Sequence, residues 1–113
     1  MSYVPERGDL VRLDFNPQAG HEQAGWRPAV VISPKAYNET FGLMLACPIT
    51  NQDKGFPFEV PLPDGVPITG VVLADHLKNV DWRARKVQFV CSIAESHDEF
   101  FEEIVERIKP LIF

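Results

Sequence analysis

Over residues 9–15 the apolar positions fall at every second place, Val11, Leu13 and Phe15. That is the mark of a strand with one face in a core. Residues 16–25 are polar and rich in small residues, a loop. Residues 27–33 are mostly apolar, which predicts a second strand buried on both faces. Pro34 and Asn38 bracket a short turn or helical turn, because proline suits a first helical position. Residues 43–49, 56–62 and 69–73 read as three further strands, with Pro63-Asp64-Gly65 as a strong turn. Residues 74–81 show no clear period, and 85–91 predict another strand. At Ser96 the period changes. Ser96 and Glu99 match the S-x-x-E box that opens helices. Phe100, Ile104, Ile108 and Leu111 then recur at helical spacing, with Phe101 and Val105 widening the stripe. Short strands, tight turns and one terminal helix predict a mainly β chain, a small, strongly bent antiparallel sheet or barrel forming one domain over 1–113.

A chain of 113 residues buries a core without a disulfide or metal staple. No apolar run approaches the roughly 20 residues needed to cross a bilayer. The first residues lack a basic region leading into an apolar one, so no signal peptide is expected and a cytoplasmic location is the default. The net charge of −5 argues against a nucleic-acid partner. Its distribution changes that picture. From Glu95 onward there are six acids against two bases, and ahead of it ten acids against nine bases. The acidity belongs to one face of the terminal helix, with acids early and Arg107 and Lys109 late, as the helix dipole favours. A basic face elsewhere is compatible with the rest. Cys47 and Cys91 lie in apolar stretches and read as small buried thiols, too few and too far apart for a metal site. No metal or cofactor is expected.

The chemistry concentrates in the segment Gly20-His21-Glu22-Gln23-Ala24-Gly25-Trp26-Arg27-Pro28, a glycine-bounded loop running into an apolar strand. A carboxylate such as Glu22 can take a proton from a hydroxyl, and the Arg27 guanidinium can grip a phosphate through two parallel hydrogen bonds. Together they suit attack of a ribose 2′-hydroxyl on its own phosphodiester. The plainer alternative is a surface ion pair pinning the loop. Thr50, after the third strand, could hold a phosphate oxygen or simply shape a turn. His21 could shuttle protons or sit idle in solvent. His76 and His97 read as idle. Asp75 closes an apolar strand as a catalytic carboxylate or as a turn cap. Lys78, Arg83, Arg85 and Lys86 surround Trp82, either a phosphate track with a stacking aromatic or a solvated loop with a core Trp.

Several strings occur in order along the chain: Val4-Pro5-Glu6-Arg7-Gly8-Asp9-Leu10, the Gly20 to Val31 segment, Pro48-Ile49-Thr50, Phe58-Glu59-Val60 and Gly70-Val71-Val72-Leu73-Ala74-Asp75. As a set they resemble the MazF/PemK (Kid) family of toxins of type II toxin–antitoxin systems, MazF most closely. The resemblance implies a homodimer on an SH3-like, CcdB-like β-barrel. It implies a cytoplasmic endoribonuclease that cuts single-stranded RNA at short sequences without a metal, leaving 2′,3′-cyclic phosphate and 5′-hydroxyl ends. A cognate MazE-like antitoxin, with an acidic disordered tail across the RNA site, holds such toxins silent. Carried over by position, Arg27 stabilises the transition state, Glu22 leads as base, and Thr50 contacts phosphate. His21 and Asp75 match residues given catalytic roles in the Kid/PemK branch. Lys54, Lys78, Arg83, Arg85 and Lys86 become candidate RNA-binding residues. That branch has an arginine two residues before its Asp, where this chain has Leu73, so the base stays open among Glu22, His21 and Asp75. The rival expectation on the same scaffold is a non-enzymatic CcdB-like toxin that traps a gyrase.

Overall fold

The computed structural model describes residues 3–15 and 25–113. Strand β1 (Asp9–Asp14) pairs antiparallel with β2 (Trp26–Val31) on one side and with β7 (Gln88–Ser92) on the other. β2 passes into α1 (Lys35–Phe41), where Pro34 takes the N-cap position and the helix proper starts one residue later than a first-turn proline implies. Gly42 ends that helix in the left-handed region. β3 (Leu43–Thr50) then runs through the middle of the sheet.

β3 pairs with β2 along one edge and with two partners in succession along the other. The first is β6 (Lys78–Asp81), opposite Leu43 to Ala46, and the second is β5 (Val71–Leu73), opposite Ile49 and Thr50. β4 (Glu59–Pro61) closes that side against β5. The seven strands among the described residues form one sheet, ordered β4-β5-β3-β2-β1-β7 with β6 branching from β3. It is not closed into a barrel, because β6 and β7 are joined by a turn and do not pair.

Strand alternation places a core on each face of the bent sheet. Leu10, Val30, Cys47, Ile49, Val72 and Ile93 pack under the C-terminal helix α2 (Asp98–Ile112) against its buried Ile104 and Ile108. Val11, Leu13, Phe15, Ala29, Val31 and Met44 pack on the other face with Val80 and Trp82. The two-sided burial expected of residues 27–33 holds through Val31. The unassigned stretch 74–81 resolves into a 3-10 turn (Ala74–His76) followed by β6.

Two details of the terminal helix differ from the pattern in the sequence. His97, not Ser96, occupies the N-cap, because residues 94–96 continue a turn in which the His97 N–H bonds to the Ile93 carbonyl. The Ser96 hydroxyl pairs with His97 Nδ1 at 2.8 Å and does not cap. Leu111 lies at the exposed end of the apolar stripe, beyond the reach of the sheet.

Asn38 is a buried polar hub within α1. Its Nδ2 donates to the carbonyls of Pro5 (2.8 Å) and Ser33 (3.1 Å), and its Oδ1 accepts from the Ser33 hydroxyl at 2.6 Å. The Trp82 indole N–H donates to its backbone carbonyl at 3.0 Å. Replacing Asn38 by Ala strips buried partners of their bonds and should cost about 2–4 kcal/mol of stability. Urea unfolding checks this, and an unchanged midpoint would deny the hub its role.

Candidate active site

β3 ends at Thr50 where it meets β5, and the face that Thr50 shares can be followed across the sheet. Ala29 of β2 sits opposite Pro48 of β3. The pairing of β2 with β3 ends there; Arg27 and Thr50 each lie two residues beyond it on their own strands, with the same facing parity as Ala29 and Pro48. Directly opposed residues of an antiparallel pair point to one face. On that face Thr50 is opposite Val71, and Glu59 is opposite Leu73. Arg27 itself is half-buried and paired with Leu13 of β1. Gly25, just before it, has φ +79, and its carbonyl accepts the Phe15 N–H at 2.8 Å, so the chain re-enters the sheet through a left-handed residue.

At the end of β3 lies a cleft of about 270 Å³ lined by Thr50, Gln52, Lys54, Phe56, Glu59, Leu73, Asp75 and His76. Thr50 is buried, and its Oγ1 accepts the Gln52 N–H at 3.1 Å. The hydroxyl proton therefore remains as the group Thr50 can offer to a phosphate oxygen. Asp75 is exposed and His76 half-buried, both on the 3-10 turn that carries β5 into β6. Gly70, with φ +120, comes so close to the end of β3 that a Cβ there would lie 2.3 Å from the Thr50 carbonyl oxygen. Only glycine allows that approach.

Glu59 is a buried carboxylate with a specific task. Its Oε1 accepts the backbone N–H groups of Lys54 (3.1 Å) and Phe56 (3.2 Å), and Oε2 also accepts that of Lys54 at 3.3 Å. The segment forming one lip of the cleft is thus tied to β4.

The cleft brings together Thr50, Asp75 and Lys54 of the residues expected from sequence, with Arg27 on the same face of the neighbouring strand. His21 and Glu22 lie outside the described residues. Lys78 starts β6 two residues after His76 and faces Ala46, on the Thr50 side of the sheet. Arg83, Arg85 and Lys86 gather elsewhere, on the turn between β6 and β7. There Arg85 Nη1 donates to the Asp14 carbonyl at 3.0 Å, at the strand end where Asp14 pairs with Trp26. Trp82 is 3% exposed with its N–H satisfied, so its ring belongs to the core and cannot stack a base. Arg83 lies over that ring, 4.8 Å from its centroid.

The sequence presented His76 as idle and did not single out Gln52, Phe56 or Glu59 as site residues. His76 adjoins Asp75, but nothing in an isolated His signals a cleft. Glu59 carried a usable clue: an acid between Phe58 and Val60 in a strand must face the side opposite them.

Cys47 is buried beneath this region, its Sγ directed at the Ala74 carbonyl at 3.9 Å. Burial first, and the charge of Asp75 second, push its thiol up to about 12. It stays protonated at neutral pH and is no nucleophile. Cys91 is half-buried, and no disulfide joins the two. No group of three or more His, Cys, Asp or Glu that could hold a metal ion occurs among the described residues. No helix among them is long and apolar enough to cross a membrane.

The chain has relatives of one family along most of its length. Residues 6–112 match the model of the PemK-like, MazF-like toxin of type II toxin–antitoxin systems. The endoribonuclease toxin MazF of Escherichia coli K12 is 55% identical over 83 residues, 74% of each chain. Among solved structures, MazF from Deinococcus radiodurans superposes with a TM-score of 0.92 at 48% identity over 98% of both chains. A MazE–MazF complex from the same organism gives 0.86 at 48% identity, over 98% of this chain and 97% of that one.

The raised Cys47 pKa has a consequence for stability. Above the ordinary thiol value near 9 the unfolded chain gives up this proton while the native chain keeps it to about 12. Stability therefore falls as pH rises through that window. Urea unfolding at pH 7.5 and pH 10 should show the decline, and Cys47→Ala should flatten it; an equally steep decline in that variant would assign the loss to other groups.

Proposed function

Because the chain belongs to the PemK-like, MazF-like family of toxins of type II toxin–antitoxin systems, we propose that its cleft cuts single-stranded RNA by transesterification, without a metal. It is the endoribonuclease toxin of such a system, like its relatives MazF, ChpB and PemK. The observation that best supports the cleavage site is the cleft that gathers Thr50, Lys54, Asp75 and His76, with Arg27 on the same face of the neighbouring strand, two residues beyond Ala29.

In the proposed reaction a base removes the proton of the ribose 2′-hydroxyl, and that oxygen attacks the neighbouring phosphorus. The bond to the 5′-oxygen breaks and that oxygen takes up a proton. A 2′,3′-cyclic phosphate and a 5′-hydroxyl result. Negative charge grows on the non-bridging oxygens, where two parallel guanidinium N–H groups of Arg27 and the Thr50 hydroxyl act as donors. A guanidinium is a poor proton donor, so the role of Arg27 is stabilisation, with donation only to the leaving oxyanion. Glu22, His21 and Asp75 are the candidate bases. Lys54 and Lys78 supply positive charge beside the cleft, while Arg83, Arg85 and Lys86 are candidate RNA contacts apart from it, on the turn between β6 and β7.

The toxin pairs with a MazE-like antitoxin, as the related MazF of D. radiodurans does in its MazE–MazF complex, and it acts as a cytoplasmic homodimer. The gyrase-trapping alternative is not favoured, because these relatives are named endoribonucleases.

Purified protein incubated with a long single-stranded RNA in EDTA should give discrete cuts at a shared short word, mapped by primer extension. An RNA left whole by folded protein would reject the reading. Arg27→Ala should slow cleavage about 10²–10³-fold while leaving the unfolding midpoint and antitoxin binding unchanged. A parental rate in that variant would remove Arg27 from the mechanism. Among Glu22→Gln, His21→Asn and Asp75→Asn, the slowest variant marks the base; three parental rates would place the base elsewhere.

A further inference from the structure

Phe56 is out of place by composition. It is 59% exposed, and with Leu73 it is an apolar member of a cleft otherwise lined by polar and charged side chains. Exposed phenylalanines are commonplace on loose loops, but this one is held from several directions. The Glu59 carboxylate takes the N–H groups of Lys54 and Phe56. Asp53 Oδ1 takes the N–H of Gly55 at 2.9 Å, and the Phe56 carbonyl accepts the N–H of Glu59 at 3.1 Å. One residue further on, the Pro57 carbonyl accepts from Arg107 of α2, whose guanidinium is itself paired with Glu103 at 2.8 Å. The Phe58 carbonyl accepts the N–H of Ala74, directly before Asp75. The ring is thus carried on a backbone tied to β4, to α2 and to the turn bearing Asp75.

We infer that the segment 52–58 is a preformed base-reading arm, in which Phe56 stacks on an unpaired nucleobase next to the scissile phosphate and Glu59 is the positioning residue that holds the arm in place. The inference rests on the RNA-cleaving reading of the cleft. Stacking suits the site chemically. An aromatic face binds any unpaired base, and its partner stays oriented only if the ring is fixed beforehand. Lys54, two residues before Phe56, supplies a cation for the phosphate attached to that base. Glu59 has its oxygens engaged by the arm's N–H groups, so its contribution passes through the arm's geometry. A buried carboxylate here costs desolvation that those charge-assisted bonds offset. The competing occupant of an exposed aromatic is an apolar side chain of a bound antitoxin segment, and the experiment separates the two.

The test uses a short RNA carrying the mapped cleavage word, together with a set in which each base in turn is replaced by an abasic nucleotide. Parental protein should lose about ten-fold or more in kcat/KM at the stacked position. Phe56→Ala should lose a similar factor on the intact RNA, and should suffer no further loss when that same base is removed. Phe56→Tyr should restore both the rate and the abasic penalty. Glu59→Gln should raise KM more than it lowers kcat and shrink the same positional penalty, a signature that general destabilisation does not produce. Full activity of Phe56→Ala on intact RNA would overturn the inference. So would penalties that simply add at every position, or a Phe56→Ala variant impaired only in antitoxin binding. If parental protein cuts no RNA, the nuclease reading falls and this inference with it, whereas cutting that is indifferent to Phe56 removes the inference alone.

Discussion

The pairing of β3 along both edges is the constraint from which the rest follows. Its far edge is shared between β6, opposite Leu43 to Ala46, and β5, opposite Ile49 and Thr50. The change of partner lies between Ala46 and Ile49, just before the strand's end. Alternation along β3 sends Cys47 and Ile49 into the core under α2, and Met44 and Ala46 into the core around Trp82. The pairing of Thr50 with Val71 brings the end of β3 against Gly70, where the backbone atoms leave no space for a Cβ. Thr50 is therefore set in position by main-chain packing, and the cleft opens next to it.

Around that fixed point the polar groups are organised chiefly by backbone bonds. Gln52 donates to Thr50, while Lys54 and Phe56 donate to Glu59. Backbone N–H groups cost little further ordering once the strands are in place, so they hold donors and rings still without using up side chains needed for chemistry. The same logic keeps Cys47 out of the reaction. A thiol under the cleft, shielded from water and close to a carboxylate, remains neutral, and the anionic substrate meets no competing charge from it.

Much of this was legible beforehand because strand periodicity is a local property. The alternation Val11, Leu13, Phe15 marks β1, and the stripe Phe100, Ile104, Ile108 marks α2, because burial on one face imposes a period on the residues. Thr50, Asp75 and Lys54 were singled out in advance and do line one cleft. The base-stacking role considered for Trp82 fails for a physical reason. A Trp flanked by basic residues looks alike in sequence whether it faces solvent or a core, and here its indole N–H is claimed by the Asn38 carbonyl, 44 residues away. The capping box at Ser96 fails similarly, since the turn that bonds the His97 N–H to the Ile93 carbonyl puts His97 at the N-cap, and the Ser96 hydroxyl pairs with the His97 ring instead.

The sequence by itself determined the element types, the terminal helix and, through an ordered set of short motifs, the toxin family, because these depend on residues close together in the chain. The folded chain alone shows that Ala29 faces Pro48, that Glu59 holds the segment carrying Phe56, and that Gly70 seals the end of β3. Each of those depends on strand register or on contact between distant segments. A shift of one residue in register would turn every side chain to the opposite face, and residues 29–31 and 46–50 are buried on both faces, so their apolar pattern does not choose between the two registers.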